Sequence, residues 1–111
     1  MIIHGHEVKG SVLDSETRCV HYHKKIDRIA IKFYCCNTYY PCYECHEEHG
    51  CGKHKVWPKE QFDKKAILCG ACGYELTIHE YLHCRSNCPN CQASFNPGCN
   101  LHRHLYFEVE G

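Results

Sequence analysis

The chain has 111 residues, 12 of them Cys and 11 His, and its 13 basic and 13 acidic residues leave a formal net charge of zero. That length allows one domain or two very small ones, and the 43% hydrophobic share is inflated by the cysteines, so the core is modest and needs covalent or metal cross-links. The basic residues are scattered, which argues against the basic patch that nucleic-acid binders set against phosphates.

Residues 1–18 are mixed and polar, with one edge strand expected around Val8–Leu13. MIIHGHEVKG carries a His, a Glu and a Lys where a signal peptide has its apolar run. No stretch approaches the length of a membrane span. A reducing compartment is therefore the default, and a cytoplasmic protein without membrane contact is expected. The run Ile26–Tyr34 alternates, with Ile29, Ile31 and Phe33 on one face, and predicts a strand. Asn37–Pro41 has turn character, and Trp57-Pro58 marks a corner. Ala66–Leu68 predicts a short strand leading into the tight turn CGACG, where Gly70 and Gly73 permit a close backbone. Leu76–Ile78 is the return strand. Thr77-Ile78-His79-Glu80 fits a capping box and predicts a short helix to about Leu82. Asn96-Pro97-Gly98 is a turn, and Leu105, Tyr106, Phe107 and Val109 predict a final strand. The expected fold class is a small zinc-stabilised α+β domain, of short strands and zinc knuckles with little helix.

Clustered Cys in a reducing compartment points to metal binding or catalysis, and abundant His favours zinc, because disulfide scaffolds have no use for His. Cys69, Cys72, Cys88 and Cys91 form C-x2-C-x15-C-x2-C, a four-thiolate zinc spacing. The competing readings are paired redox dithiols, which need a βαβ context that is absent here, and an iron centre. A second cluster, CCNTYYPCYECHEEHGC, spans Cys35–Cys51. Adjacent Cys35 and Cys36, with Cα atoms about 3.8 Å apart, are too close for an ordinary disulfide. On an extended segment they point to opposite faces and serve two ions; on a turn they serve one. Cys42 and Cys45 are a further C-x2-C pair, His46 follows at once, and Cys19-Val20-His21 lies upstream.

Together, Cys19-Val-His21-Tyr22, the vicinal Cys35-Cys36, the run Tyr39-Tyr40-Pro41-Cys42-Tyr43-Glu44-Cys45-His46 and the later C-x2-C pairs resemble the CHY-type zinc finger family, from about Cys19 to Phe107. The tail Phe95–His102 with Leu105–Phe107 is most similar to small stand-alone members, found in bacteria and fungi. One fungal member works in the mitochondrial intermembrane space, helping small Tim proteins and keeping an import oxidoreductase free of zinc. The resemblance implies about three zinc ions. Cys19 and His21 would join Cys42 and Cys45; Cys35 and Cys36 would join His46 and a second histidine; Cys69, Cys72, Cys88 and Cys91 would make the third site. His54, just before Val56-Trp57, fits the family pattern as that histidine, with His49 the alternative. Ligase-type members carry a further Cys a few residues after C-x-H-Y, where this chain has Ile26-Asp27; Cys99 or His102 would be its replacement. The resemblance also divides the chain into residues 1–18, an extension or edge strand, and a zinc finger domain at 19–111. Within that domain, 19–57 form the CHY part and 66–111 the four-cysteine part with the C-terminal strand.

The remaining candidates have plainer readings. Cys51 and Cys84 are expected to be free thiols, and His4, His6, His23, His79, His83 and His104 exposed or satisfied polar residues. Tyr39, Tyr40, Tyr43 and Trp57 are expected to shield the metal sites and fill the core rather than form a partner surface. Asp27, Glu44, Glu47 and Glu48 are expected to be solvated charge, with no catalytic residues and no cofactor besides zinc. The expected function is a non-catalytic zinc-binding module, a monomer, acting through contacts with a protein partner. The alternative is a zinc-handling or redox chaperone for cysteine-rich proteins, located in the mitochondrial intermembrane space if the chain is fungal. An enzyme is not expected, since catalytic zinc keeps an open position and this chain has ligands to spare. Nor is a ubiquitin ligase, since no room for a RING follows Cys91.

Overall fold

The computed structural model describes residues 2–53, 55–96 and 103–108. Its centre is a four-stranded antiparallel sheet of order β4-β3-β5-β6, with β3 at Ile29–Phe33, β4 at Thr38–Tyr40, β5 at Lys65–Cys69 and β6 at Glu75–Thr77. The first half of the chain supplies β3 and β4, the second half β5 and β6. The central β3–β5 pairing, Ile29 opposite Cys69 and Ile31 opposite Ile67, joins the halves in one sheet.

Period-two alternation decides what each face does. Ile29, Ile31 and Phe33 face the larger core with Ile67, Leu76, Ile78, Phe95 and Phe107. Ala30 and Leu68 face a smaller core with Ile3, Val8 and Tyr39. Ile3, Val8 and Val12 thus cover the second face of the sheet, and Val8 also bridges Tyr39 on the edge strand β4. Each fully buried Ile or Val there contributes about 1.5–3 kcal/mol. Strand β5 carries an irregularity between Lys65 and Ile67, so Ala66 and Ile67 both reach the larger core.

Several expectations need correction. No strand forms over Val8–Leu13. Instead a hairpin pairs β1 (Ile2–Ile3) with β2 (His6–Glu7), Val8 makes one bridge to Tyr39, and Val12 makes one to Cys19. Gly10, at φ 103, breaks the run between them. The turn expected at Asn37–Pro41 shrinks to Asn37 (φ 53), because Thr38, Tyr39 and Tyr40 pair with β3 as a strand. Threonine and tyrosine fit a pleated, half-buried surface well. The final strand is replaced by a 3-10 turn at Arg103–Leu105 and a single bridge from Phe107 to Trp57; Val109 lies outside the described residues, as do Pro97 and Gly98 of the expected turn.

The chain also contains a helix the sequence reading lacked, α1 at Tyr43–His49. Cys42 is its N-cap, its side chain accepting from the Cys45 N–H, and Gly50 ends it. Glu44 in the first turn complements the helix dipole. Helix α2 spans Ile78–His83, with the capping box of Thr77 and Glu80 formed in both directions.

Candidate metal centres

Among the described residues, the Cys19–His21 loop, helix α1 with its flanks, the turns after β3 and β5 and the Cys88–Cys91 turn gather the ligating side chains into three groups of four. Around a tetrahedral zinc, Zn–S bonds of about 2.3 Å and Zn–N bonds of about 2.0–2.1 Å set S–S edges near 3.8 Å and S–N edges near 3.6 Å. That is the yardstick for each group.

Site one is Cys19, His21, Cys42 and Cys45. Cys19 and Cys42 sulfurs lie 3.6 Å apart, and His21 Nδ1 lies 3.9, 3.6 and 3.5 Å from the sulfurs of Cys19, Cys42 and Cys45. These are tetrahedral edges. The Cys19 N–H donates to the Tyr22 carbonyl, closing the small loop that turns His21 back onto its own cysteine. The other ring nitrogen of His21 lies 2.8 Å from Glu48 Oε1 on α1. Such a carboxylate fixes the ring and raises its basicity as a ligand. The three cysteines are buried. Hydrogen bonding with Cys42 and Cys45 holds the Cys19 thiol far below its ordinary range, while the same contacts and burial push Cys42 up. Three thiols this close cannot ionise together on their own, and a dication at their centre removes that conflict.

Site two is Cys35, Cys36, His46 and Cys51. Because the chain turns immediately after β3, with Asn37 N–H donating to Phe33 O, the vicinal cysteines converge on one centre instead of diverging to two. His46 Nε2 is 3.2 Å from Cys35 Sγ and 3.7 Å from Cys51 Sγ. Cys51, expected to be a free thiol, is thus a member of the cluster. Its membership was hidden by the helix, because Gly50 ends α1 and the chain folds back past His46. Cys51 is the exposed member and His46 the buried one. Burial raises the Cys35 thiol to about 11. His49 stands apart, its Nε2 3.1 Å from Ser11 Oγ. His54, Cys99 and His102 lie outside the described residues.

Cys45 and His46 are neighbours in sequence yet serve different sites. Successive side chains on an α-helix diverge by about 100°, so one short helix feeds both centres.

Site three is Cys69, Cys72, Cys88 and Cys91. The cross-pairs Cys69–Cys91 and Cys72–Cys88 are each 3.8 Å apart. The two C-x2-C turns share one backbone pattern. Cys69 N–H donates to Tyr74 O and Gly73 N–H to Cys69 O; Cys88 N–H donates to Ala93 O and Gln92 N–H to Cys88 O. Gly73 takes φ 84, and Gln92, with a Cβ, holds the matching place at φ 67. Burial opposes ionisation of Cys72, but the Asn90 amide, 3.4 Å from its sulfur, and the Tyr74 backbone bring the thiol down to about 7. Burial pushes Cys69 up.

The plainer candidates resolve as follows. Cys84 donates to Tyr81 O and joins no cluster among the described residues. His4 bonds Gly70 O, and the rings of His79 and His83 on α2 lie 4.3 Å apart, tilted by 38°. Tyr39, Tyr40 and Trp57 are buried packing residues, the Trp57 indole donating to Lys32 O. Asp27 is the exception to solvated charge: it is buried, accepting from the Lys24 N–H at 2.9 Å and the Asn96 amide at 2.6 Å.

Among the described residues, no helix is long and apolar enough to cross a membrane. The family model for the CHY zinc finger matches residues 19–97. The chain is 47% identical over 109 residues to Helper of Tim protein 13 of Saccharomyces cerevisiae, an alignment covering 91% of this chain and 90% of that one. It is 39% identical over 104 residues to Helper of Tim protein 13 of Kluyveromyces lactis, covering 91% and 88%. No solved structure matches. Three Cys/His groups with tetrahedral edges suit about three zinc ions, and the chain belongs to the CHY zinc finger family.

Proposed function

We propose that this protein is a non-catalytic zinc module that helps cysteine-rich client proteins assemble through direct protein contacts, in the mitochondrial intermembrane space rather than the cytoplasm. The observation that carries this is the completeness of each cluster, four ligating groups in every one of the three. An ion held by four protein ligands has no position left for substrate or activated water. Zinc here supplies cross-links, in a chain whose sheet is too small to hold its turns unaided. The printed name of the Saccharomyces relative, a helper of a Tim protein, supports the client class and, with it, the compartment.

The experiment mixes the zinc-loaded protein with a reduced, cysteine-rich small Tim protein. A stable complex and a higher yield of assembled client support the proposal. Neither complex nor yield change, with three zinc ions in place, counts against it.

One observation favours a zinc-handling chaperone as the second reading. Cys51 in site two is exposed and Cys35 and Cys36 are half-buried, whereas the cysteines of site one are all buried. An incoming thiolate reaches site two before site one, although exposed Cys91 leaves site three open at one ligand as well. Zinc passing from the protein to an apo acceptor, or the reverse, distinguishes this reading from simple docking.

A further inference from the structure

We propose that a cavity beside site one receives a lysine or arginine side chain from a protein partner; the occupant rests on the protein-contact reading above, the pocket does not. The cavity measures about 270 Å³. Small-molecule sites run to about 300–1,000 Å³, so this one suits a single side chain. Ile29, Ile31 and Leu105 give it an apolar shaft, the surface along which long basic side chains lay their methylene stems. Tyr22, Tyr43 and Tyr106 add aromatic rings, and Asp27 and Glu44 add carboxylates, with no Lys, Arg or His lining it among the described residues.

Asp27 fixes the sign of the ligand. Asp27 lines the cavity although the residue is only 7% exposed. Both of its hydrogen bonds come from neutral donors, the Lys24 N–H and the Asn96 amide. Among the described residues no ion pair reaches it. A buried carboxylate is costly unless a cation accompanies it, and a carboxylate has about four acceptor sites, so capacity remains. A guanidinium or ammonium entering the shaft meets this charge, then the tyrosine rings, which attract cations most strongly where water is excluded. Exposed Glu44 at the start of α1 adds a second negative charge. Cys42 lines the same cavity, so a docked side chain lies against site one.

The test titrates the zinc-loaded, 15N-labelled chain with N-acetyl-arginine N-methylamide and with its neutral citrulline counterpart. The expected result is amide shifts confined to the surroundings of Asp27, Glu44 and Tyr106. The arginine probe should bind about tenfold more tightly than citrulline, the scale of one charge-assisted contact. Glu44→Gln should weaken it roughly threefold, as befits an exposed charge, and Asp27→Asn should remove the preference. If Asp27→Asn fails to fold, Glu44→Gln together with the loss of binding in high salt decides. Equal binding of the two probes, or shifts elsewhere, overturns the proposal. Probe binding as expected, with no client complex in the assay above, leaves the pocket standing and sinks the protein-contact reading instead.

Discussion

The imidazole of His46 lies flat on the ring of Phe33, with centroids 4.1 Å apart and planes 5° from parallel. A second aromatic, Tyr40, meets His46 edge-on at 5.2 Å. The histidine that site two holds among the described residues is therefore part of the hydrophobic core, and its aim at the Cys35 sulfur is set by packing. Metal geometry and core packing are here one constraint. Phe33→Ala is expected to cost about 3–5 kcal/mol, the range for truncating a buried aromatic. Site two should weaken before the others, because the platform that orients its imidazole is lost. Thermal unfolding with native mass spectrometry checks this. A destabilised protein that still holds site-two zinc as tightly as before would count against the coupling.

Cys51 and His54 make competing claims to the fourth position of site two. The structure places the Cys51 sulfur with Cys35, Cys36 and His46, and a tetrahedral ion takes four ligands. Cys51→Ala is therefore expected to reduce the zinc content by one ion per chain, while His54→Ala and His49→Ala retain all three. The opposite pattern, with His54→Ala losing an ion and Cys51→Ala keeping it, would restore the histidine.

How far the site was legible from sequence follows from how local each signal is. In site three the ligands of each C-x2-C pair lie in one turn, so spacing alone groups them. In site one, Cys42 and Cys45 are likewise a local pair. Site two had no such handle. Cys35 and Cys36 needed a turn that only the pairing of Tyr39 and Tyr40 with β3 defines, and Cys51 needed a helix to bring it back toward His46. The signals for that helix were present: a capping side chain at Cys42, Glu44 in the first turn and Gly50 at the end. They were obscured because the same residues also spell a zinc knuckle. Asp27 was unreadable for a different reason. Nothing local marks a carboxylate as buried when its partner, Asn96, lies far along the chain.

Removing the metal should unfold the whole protein in one step. The larger core contains ligands from sites one and three, Cys19, Cys42, Cys45, Cys69 and Cys88, so it cannot stay intact while they separate. Structural zinc in small finger peptides supplies about 10–16 kcal/mol of apparent binding free energy that is also folding free energy. Addition of a strong chelator should collapse the amide NMR dispersion. An apo chain that keeps native-like spectra would show that the sheet stands alone.

The capping box of α2 offers a small, clean test. Thr77→Ala removes the acceptor for the Glu80 N–H, 3.0 Å away, at an expected cost of about 1 kcal/mol. The Thr77 N–H, donating to the Glu80 carboxylate, holds that group below its ordinary value of 4.5. Its contribution is thus complete above the unfolded pKa and lost as pH falls through the lowered folded one. Hydrogen exchange in α2 should turn acid-sensitive below the ordinary value of 4.5, with zinc content followed in parallel because thiolate and imidazole ligands also protonate in acid, and Glu80→Gln should flatten that part of the profile. Identical pH profiles for both proteins would exclude the cap as its source.

The order in which zinc leaves separates the two functional readings. Site one encloses its cysteines, and its histidine is steadied by Glu48. Site three is held by two matching turns whose backbone N–H groups donate within each turn. Site two depends on vicinal ligands, which constrain one another, and on Cys51, which is exposed and lies between Gly50 and Gly52 just beyond the helix. A competing thiolate or chelator reaches Cys51 as it reaches exposed Cys91 of site three, but Cys51 has no paired turn to hold it, and displacing it leaves a three-ligand ion. The expected sequence is one zinc lost early from Cys35, Cys36, His46 and Cys51, then two lost together as the fold collapses. Stepwise release to a chromogenic chelator, with each site followed by cysteine labelling, measures this. Early release with a retained fold and delivery to an apo acceptor would favour the zinc-handling reading over docking alone. Simultaneous loss of all three ions, only on unfolding, would make every zinc structural and leave protein contacts as the means of action.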